Sequence, residues 1–238
     1  MRLRGQVCLV TGASSGIGRA LAQRFAHEGA DLILTARRRH LLEEVAREIQ
    51  HSRPEGRLLV LPADLRRPED IDSLARESLA AFGRVDIVIN NAGIGYFAPA
   101  TELALEPVEE LWQVNVRAPM LLTRALLPSM IERRSGTLLY VASLAGKYGV
   151  KEGSVYAATK FALRGFAWSV FQEVRQHNIR VIVLCPGSTA TPFGGGVGSG
   201  SRSERILQPE DVADIALAAV LLPPTATVSE LELRPTNP

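Results

Sequence analysis

The sequence predicts an α/β fold, a doubly wound parallel sheet of about seven strands with helices on both faces. Three observations lead there. Short aliphatic and β-branched runs alternate with longer helical patterns from one end of the chain to the other, the order that βαβ units produce. Most of those runs lack polar alternation, so each strand is expected to be covered on both sides. A glycine-rich turn joins the first run to the first helical stretch.

The whole chain bounds the answer before any motif is read. Its 238 residues fit one domain of this kind, and no linker, repeat or compositional break divides residues 1–238. With 46% hydrophobic and 22% charged residues the chain has enough apolar side chains for a buried sheet, which excludes global disorder. The formal net charge is only +2 and the basic residues are scattered, apart from Arg37, Arg38 and Arg39, so no nucleic-acid partner is expected. No apolar run approaches the ~20 residues that span a bilayer, so no membrane partner is expected and the location is read as cytoplasmic. Cys8 and Cys185 lie in apolar runs and read as small core hydrophobes. His27, His40, His51 and His177 are scattered without ligand spacing, so no metal site is expected.

The first strand, at residues 6–11, leads into Thr11-Gly12-Ala13-Ser14-Ser15-Gly16-Ile17-Gly18 and a helix from about Ile17. Glycines there let the backbone approach a pyrophosphate, while the helix start offers unpaired N–H donors and the positive end of its dipole. The spacing is G-x-x-x-G-x-G, not the G-x-G-x-x-G of the general dinucleotide fingerprint. A second strand at 31–35 ends in Thr35-Ala36-Arg37-Arg38-Arg39, ahead of a helix near His40. An acid at this place would bind a free ribose 2′-hydroxyl, whereas guanidinium groups suit a 2′-phosphate. NADP(H) is therefore preferred to NAD(H), the other reading being arginines solvated at the surface.

A third strand is expected at 57–62, and Arg67-Pro68-Glu69-Asp70 then places a proline and two acids at a helix start, where the dipole favours them. A fourth strand, 85–90, runs into Asn90-Asn91-Ala92-Gly93. The helix from Pro107 is long, and Pro119 and Pro128 are expected to kink it or mark its turns. Within it, Asn115 is polar among apolar neighbours, serving either a hydrogen bond between helices or a site.

The fifth strand, 136–142, delivers Ser143 to the carboxyl edge, where open α/β sheets bind ligands. Tyr156-Ala157-Ala158-Thr159-Lys160, in the helix from Val155, places a phenol and an ammonium on one helix face. A phenol near pKa ~10 needs about 4 kcal/mol of phenolate stabilisation to work near pH 7, and one ammonium at ~4 Å in an effective dielectric of ~20 supplies about that much. A sixth strand at 180–185, a helix from Pro209 and a seventh strand at 230–234 complete the series. Between them Gly194 to Ser203 reads G-G-G-V-G-S-G-S-R-S and is expected to be a mobile loop, either a surface linker or a substrate lid.

Together these residues resemble the short-chain dehydrogenase/reductase family in its short single-domain branch. The glycine turn from Thr11 to Gly18, Asp64, Asn90 to Gly93, Asn115, Ser143, Tyr156, Lys160, and Pro186-Gly187 with Thr191 follow the family's order and spacing over nearly the whole chain. The resemblance implies a Rossmann-type sheet of order 3-2-1-4-5-6-7 and hydride transfer between NADP(H) and a carbonyl or secondary alcohol. Tyr156 would be the proton donor or acceptor, Ser143 would hydrogen-bond the reacting oxygen, and Lys160 would lower the tyrosine pKa and grip the nicotinamide ribose. Asn115 would hold a water on the proton path. Cofactor contacts would come from Gly12, Ser14, Ser15, Gly16, Ile17, Gly18, Arg37, Arg38, Asp64, Leu65, Asn91, Ala92, Gly93, Tyr156, Lys160, Pro186, Gly187, Thr189 and Thr191. A homotetramer or homodimer is implied through helices 107–133 and 155–176, with Phe161, Phe166, Trp168 and Phe171 as apolar surface or as core.

The substrate is expected to meet the variable segments 94–100, 144–154 and 193–207. The middle one carries Lys147, Tyr148 and Lys151, which either pair with an acidic substrate or are solvated. The ending Val228 to Thr236 resembles that of the family's 3-hydroxy acid and serine dehydrogenases, which points to a small 3-hydroxy acid, ketone or aldehyde. A 3-oxoacyl-[acyl-carrier-protein] reductase is the alternative, and a non-catalytic NADP(H)-binding sensor is the alternative from another class.

Overall fold

In the computed structural model, which describes residues 1–193 and 205–236, one parallel sheet runs in the order 3-2-1-4-5-6-7, the order expected of the Rossmann type. Its strands are β1 Val7–Thr11, β2 Asp31–Thr35, β3 Leu58–Val60, β4 Ile87–Asn90, β5 Gly136–Val141, β6 Ile179–Pro186 and β7 Glu230–Leu233. The helices are α1 Gly16–His27, α2 Arg39–Ser52, α3 Pro68–Phe82, α4 Leu105–Trp112, α5 Ala118–Arg133, α6 Ser154–Val174 and α7 Pro209–Val220. The Gly194 to Ser203 loop, with its reading as linker or lid, lies outside the described residues.

Every residue of β1 and β4 is buried, as continuous apolar runs in a sheet covered on both faces require. Alternate residues feed different cores because successive strand side chains point to opposite faces. Cys8, Val10, Leu32 and Leu34 pack with Leu21, Phe25, Leu42 and Leu217 under α1, α2 and α7. Leu9, Ile33, Leu138 and Tyr140 pack with Leu74, Leu122, Leu126 and Leu163 under α3, α5 and α6. Both cysteines are buried and unpaired, one in each core, and burial raises the Cys185 thiol to about 11.

Two elements differ from the sequence expectation for local reasons. β3 is three residues long, because it is an edge strand that pairs with β2 alone, from Leu32↔Leu58 to Leu34↔Val60. The long helix from Pro107 is in three parts: α4 starts earlier, at Leu105, a π turn spans Gln113–Arg117, and α5 follows. Pro119, four residues beyond Asn115, has no N–H with which to continue the ladder, so the α pattern is interrupted where the π turn passes into α5. Pro128 is carried within α5.

Strand β1 adjoins both β2 and β4, so the chain reverses its direction of winding there and the strand ends on either side leave a crevice. The glycine turn fills the entrance. Gly12 has φ +67°, and a Cβ there would come 2.9 Å from the Ala92 Cα. A Cβ on Gly18 would fall 2.1 Å from the Gly12 carbonyl oxygen, against rigid backbone. Gly18→Ala is therefore expected to lower unfolding stability by about 2–3 kcal/mol. A urea midpoint indistinguishable from that of the unmodified chain would contradict the packing described.

Candidate active site

The strand ends are tied together before any catalytic group is placed. The Thr11 hydroxyl donates to the Ile89 carbonyl (3.2 Å) and accepts from the backbone N–H groups of Asn91 (3.0 Å) and Ala92 (2.9 Å). The Asn91 side-chain amide donates to the Thr11 carbonyl at 2.8 Å. The turn after β1 and the Asn90 to Gly93 stretch after β4 are thereby one unit. Ser15 begins α1 without a side-chain cap, and the first turn of that helix contains no acid, so its N–H donors are left for an anion.

Asn115, 1% exposed, lies in the π turn and braces this unit against α6. Its Oδ1 accepts from the Ile94 N–H (2.9 Å), and its Nδ2 donates to the Ile94 carbonyl (3.0 Å) and the Thr159 hydroxyl (3.1 Å). Thr159 in turn donates to the Tyr156 carbonyl at 2.7 Å. The hydrogen bond between helices, one of the two readings of Asn115, is thus present. It also reaches the loop after β4, and Pro119 leaves the Asn115 carbonyl without its usual helical donor.

Lys160 is 4% exposed and donates from Nζ to the Val141 carbonyl at the end of β5, at 3.0 Å. Burial disfavours the charged ammonium and pulls its pKa from 10.5 to about 8. Tyr156 lies one helical turn earlier, with the ammonium 5.8 Å from its ring centroid. The resemblance implies that Lys160 lowers the phenol pKa. In this arrangement burial raises it, and the contribution that lowers it comes from the Ser143 hydroxyl beside the phenol. Ser143 accepts from the Ala145 N–H at 3.1 Å, which occupies a lone pair and leaves its own proton to donate.

The segment after Ser143 is held by residues that the sequence reading did not single out. Arg164, 6% exposed and one turn beyond Lys160, donates to the Gly146 carbonyl and forms a two-pronged pair with Glu230 on β7, at 3.0 and 3.1 Å. Lys147 is bound by Glu230 at 2.6 Å and by Glu232. Both readings of it, as a partner for an acidic substrate and as a solvated lysine, are corrected accordingly: two carboxylates already hold it. The four-residue period Tyr156, Lys160, Arg164 was the available signal, but a charged group on an apolar face has no visible partner when that partner lies 66 residues away.

At the other end of the crevice, Arg38 follows β2 and reaches the Ser14 hydroxyl at 3.5 Å, which brings the arginine run against the glycine turn. Arg37 pairs with Glu110 at 3.9 Å. Arg66 bridges Glu110 (3.1 Å) and Asp64 (2.5 Å), and its hydrogen bonds hold the Asp64 carboxyl below the usual range. Asp64 is thus engaged by a cation beside it in sequence, and Leu65 is buried. Gly187 follows β6, Thr189 bridges to Leu207, and the Thr191 methyl would be only 2.9 Å from a Cβ on Gly16, so 186–191 closes over the glycine turn.

These residues fit a dinucleotide. A Cβ on Gly93 would stand 3.3 Å from Asn115 Oδ1 and 3.4 Å from Lys160 Nζ, so the bare backbone there forms a cradle above the buried ammonium. Among the described residues, buried side-chain atoms without a partner include Thr35 Oγ1 and Asn90 Nδ2, both on the last residues of their strands at this same edge.

The model of the short chain dehydrogenase family matches residues 6–201. The chain belongs to that family. A short-chain dehydrogenase relative, an uncharacterized oxidoreductase of Staphylococcus saprophyticus, is 32% identical over 235 residues, 99% of each chain. A metagenomic short-chain oxidoreductase solved in complex with NADP is 37% identical with a TM-score of 0.87, covering 99% of both chains. The 3-ketoacyl-(acyl-carrier-protein) reductase of Brucella melitensis, solved with NADH, is 32% identical with a TM-score of 0.88, covering 98% of both. The protein is accordingly an oxidoreductase of the short-chain dehydrogenase family. No helix among its described residues is long and apolar enough to cross a membrane.

Arg164→Met leaves the Glu230 carboxylate short of its main partner and is expected to cost about 2–3 kcal/mol of stability. Adding Glu230→Met should cost less than the sum of the single changes by about 1 kcal/mol or more, read by thermal melting. Strict additivity would show that the pair is not coupled.

Proposed function

We propose that the protein transfers a hydride between NADP(H) and a carbonyl or secondary alcohol, such as a small 3-hydroxy acid, a ketone or an aldehyde. The observation that carries this reading is the convergence of Ser143, Tyr156 and Lys160 at the carboxyl edge of the sheet, beside a cradle of bare backbone. When bound, the cofactor supplies or accepts the hydride. The chain's own groups manage charge on the reacting oxygen. Tyr156 gives its proton to that oxygen in reduction and takes it back in oxidation, while Ser143 donates a hydrogen bond as the negative charge develops.

Lys160, mostly charged at neutral pH with a pKa of about 8, makes loss of the tyrosine proton less costly and stands ready to hold a ribose hydroxyl. Asn115 keeps α6 and the loop after β4 in register, and its carbonyl offers a place for a water on the proton path. The α1 N-terminus with Gly12, Ser14, Ser15, Gly16, Ile17 and Gly18 takes the pyrophosphate and adjoining ribose. Asp64, Leu65, Asn91, Ala92 and Gly93 line the adenosine side. Pro186, Gly187, Thr189 and Thr191 close on the nicotinamide.

The preference for NADP(H) rests on Arg37 and Arg38 after β2, with Arg38 against Ser14. The NADP complex of the metagenomic relative supports it, and the NADH complex of the Brucella reductase weighs the other way. Assembly into a dimer or tetramer fits the split among the rings of α6: Phe166 and Phe171 pack inward, whereas Phe161 and Trp168 are 46% and 45% exposed.

Arg38→Ala is expected to weaken NADPH binding about 10- to 100-fold while leaving NADH binding within about twofold, by fluorescence titration. Equal losses for both cofactors would remove the 2′-phosphate assignment. Tyr156→Phe should abolish NADPH consumption with carbonyl substrates and keep cofactor affinity; retained turnover would refute the proton role.

A further inference from the structure

Two aromatic rings from separate loops lean on the Tyr156 ring. Phe97, in the loop after β4, has its centroid 5.5 Å from that of Tyr156, and Phe193, after β6, stands 5.6 Å away. Both are tilted, at 47° and 53°, at centroid separations within the range over which aromatic pairs attract. Both also flank Gly95, where a Cβ would come 2.9 Å from Phe193 and 3.0 Å from Phe97. A side chain at Gly95 would push the rings apart.

Tyr156 itself is 8% exposed, yet Phe97 and Phe193 remain 45% and 38% exposed. The phenol is thus approached past two rings that still present apolar surface to water. Of the lysines in the neighbouring loop, one is committed to carboxylates and the other stands in solvent. Lys147 is held by Glu230 and Glu232, and the Lys151 side chain is 93% exposed, with Glu152 at 4.0 Å. Among the described residues, a carboxylate brought to this mouth would lose water against aromatic carbon without meeting a buried, uncommitted cation from the loop of Lys147 and Lys151, whereas an apolar ring would gain three aromatic neighbours.

We propose that the preferred substrate is a ketone or aldehyde bearing an aromatic or similarly flat apolar group, which packs against Phe97 and Phe193 while its carbonyl meets Tyr156. This rests on the reading of Tyr156 as the proton donor. It narrows that reading away from small 3-hydroxy acids.

The test compares NADPH-dependent kcat/KM for acetophenone, butan-2-one and acetoacetate in the unmodified enzyme and in Phe97→Ala. The unmodified enzyme should favour acetophenone over acetoacetate by about 100-fold or more. Phe97→Ala should lower kcat/KM for acetophenone by about tenfold or more while changing butan-2-one by less than about twofold. Melting temperature should fall by no more than a few degrees, because Phe97 is half exposed, and NADPH affinity should be unchanged, because Phe97 lies outside the cofactor cradle; Phe97→Tyr should restore the acetophenone rate. Acetoacetate reduced as well as acetophenone would overturn the substrate class and leave carbonyl reduction standing. An equal loss on acetophenone and butan-2-one in Phe97→Ala would also overturn it. Failure to consume any of the three while NADPH still binds would overturn the reading of the site and the substrate class with it.

Discussion

A lysine ammonium with 4% of its surface exposed has to be accommodated before anything else at this sheet edge. The fold gives it one strong acceptor, the Val141 carbonyl at the end of β5, and bare backbone at Gly93. Removing a cation from water is costly, and the lowered pKa of Lys160 expresses that cost. The surrounding order follows from the same need. The loop after β4 must come close to the ammonium, which a side chain at position 93 would hinder, and Asn115 fixes that loop by pairing with both backbone groups of Ile94. Thr159 passes the bracing on to the backbone of Tyr156.

The sheet supplies the rigid frame for this arrangement. β1, β4, β5 and β6 end at one edge, and each hands over one functional segment: the glycine turn, Asn90 to Gly93, Ser143, and Pro186-Gly187. Because these strands are packed from both faces, their ends are fixed by two cores. The edge strand β7 has a part too, although it carries no group directed at the crevice. Through Glu230 it anchors Arg164 and Lys147, and so the turn that follows Ser143. Ser143 and Tyr156 thereby belong to segments pinned to one another from below.

Much of this was legible in the chain itself. The alternation of strands and helices and the grouping of Ser143, Tyr156 and Lys160 followed from motifs whose meaning is local: a turn that needs glycine, a strand end, one helix face; the strand order came from the resemblance to a family. The π turn at Gln113–Arg117 was less visible, because Pro119 signals an interruption and not its form. The partners of Lys147 and Arg164 were hidden, since salt bridges across 66 residues or more leave no periodicity. The ionisation balance was hidden for a related reason: spacing shows that a lysine and a tyrosine share a face, whereas burial decides which of the two is shifted, and in which direction.

The most direct test follows the charge on Lys160. Lys147, Lys151 and Lys160 are the chain's only lysines, so a protein labelled with ¹³C at lysine Cε gives three resonances whose shifts can be followed against pH. The account predicts one curve centred near pH 8, absent in Lys160→Met, and a second displaced above the ordinary range because Glu230 and Glu232 hold Lys147 in its charged form. Three curves that all remain near the ordinary value of ~10.4 would contradict it, because the ammonium would then be solvated and not buried beside Tyr156.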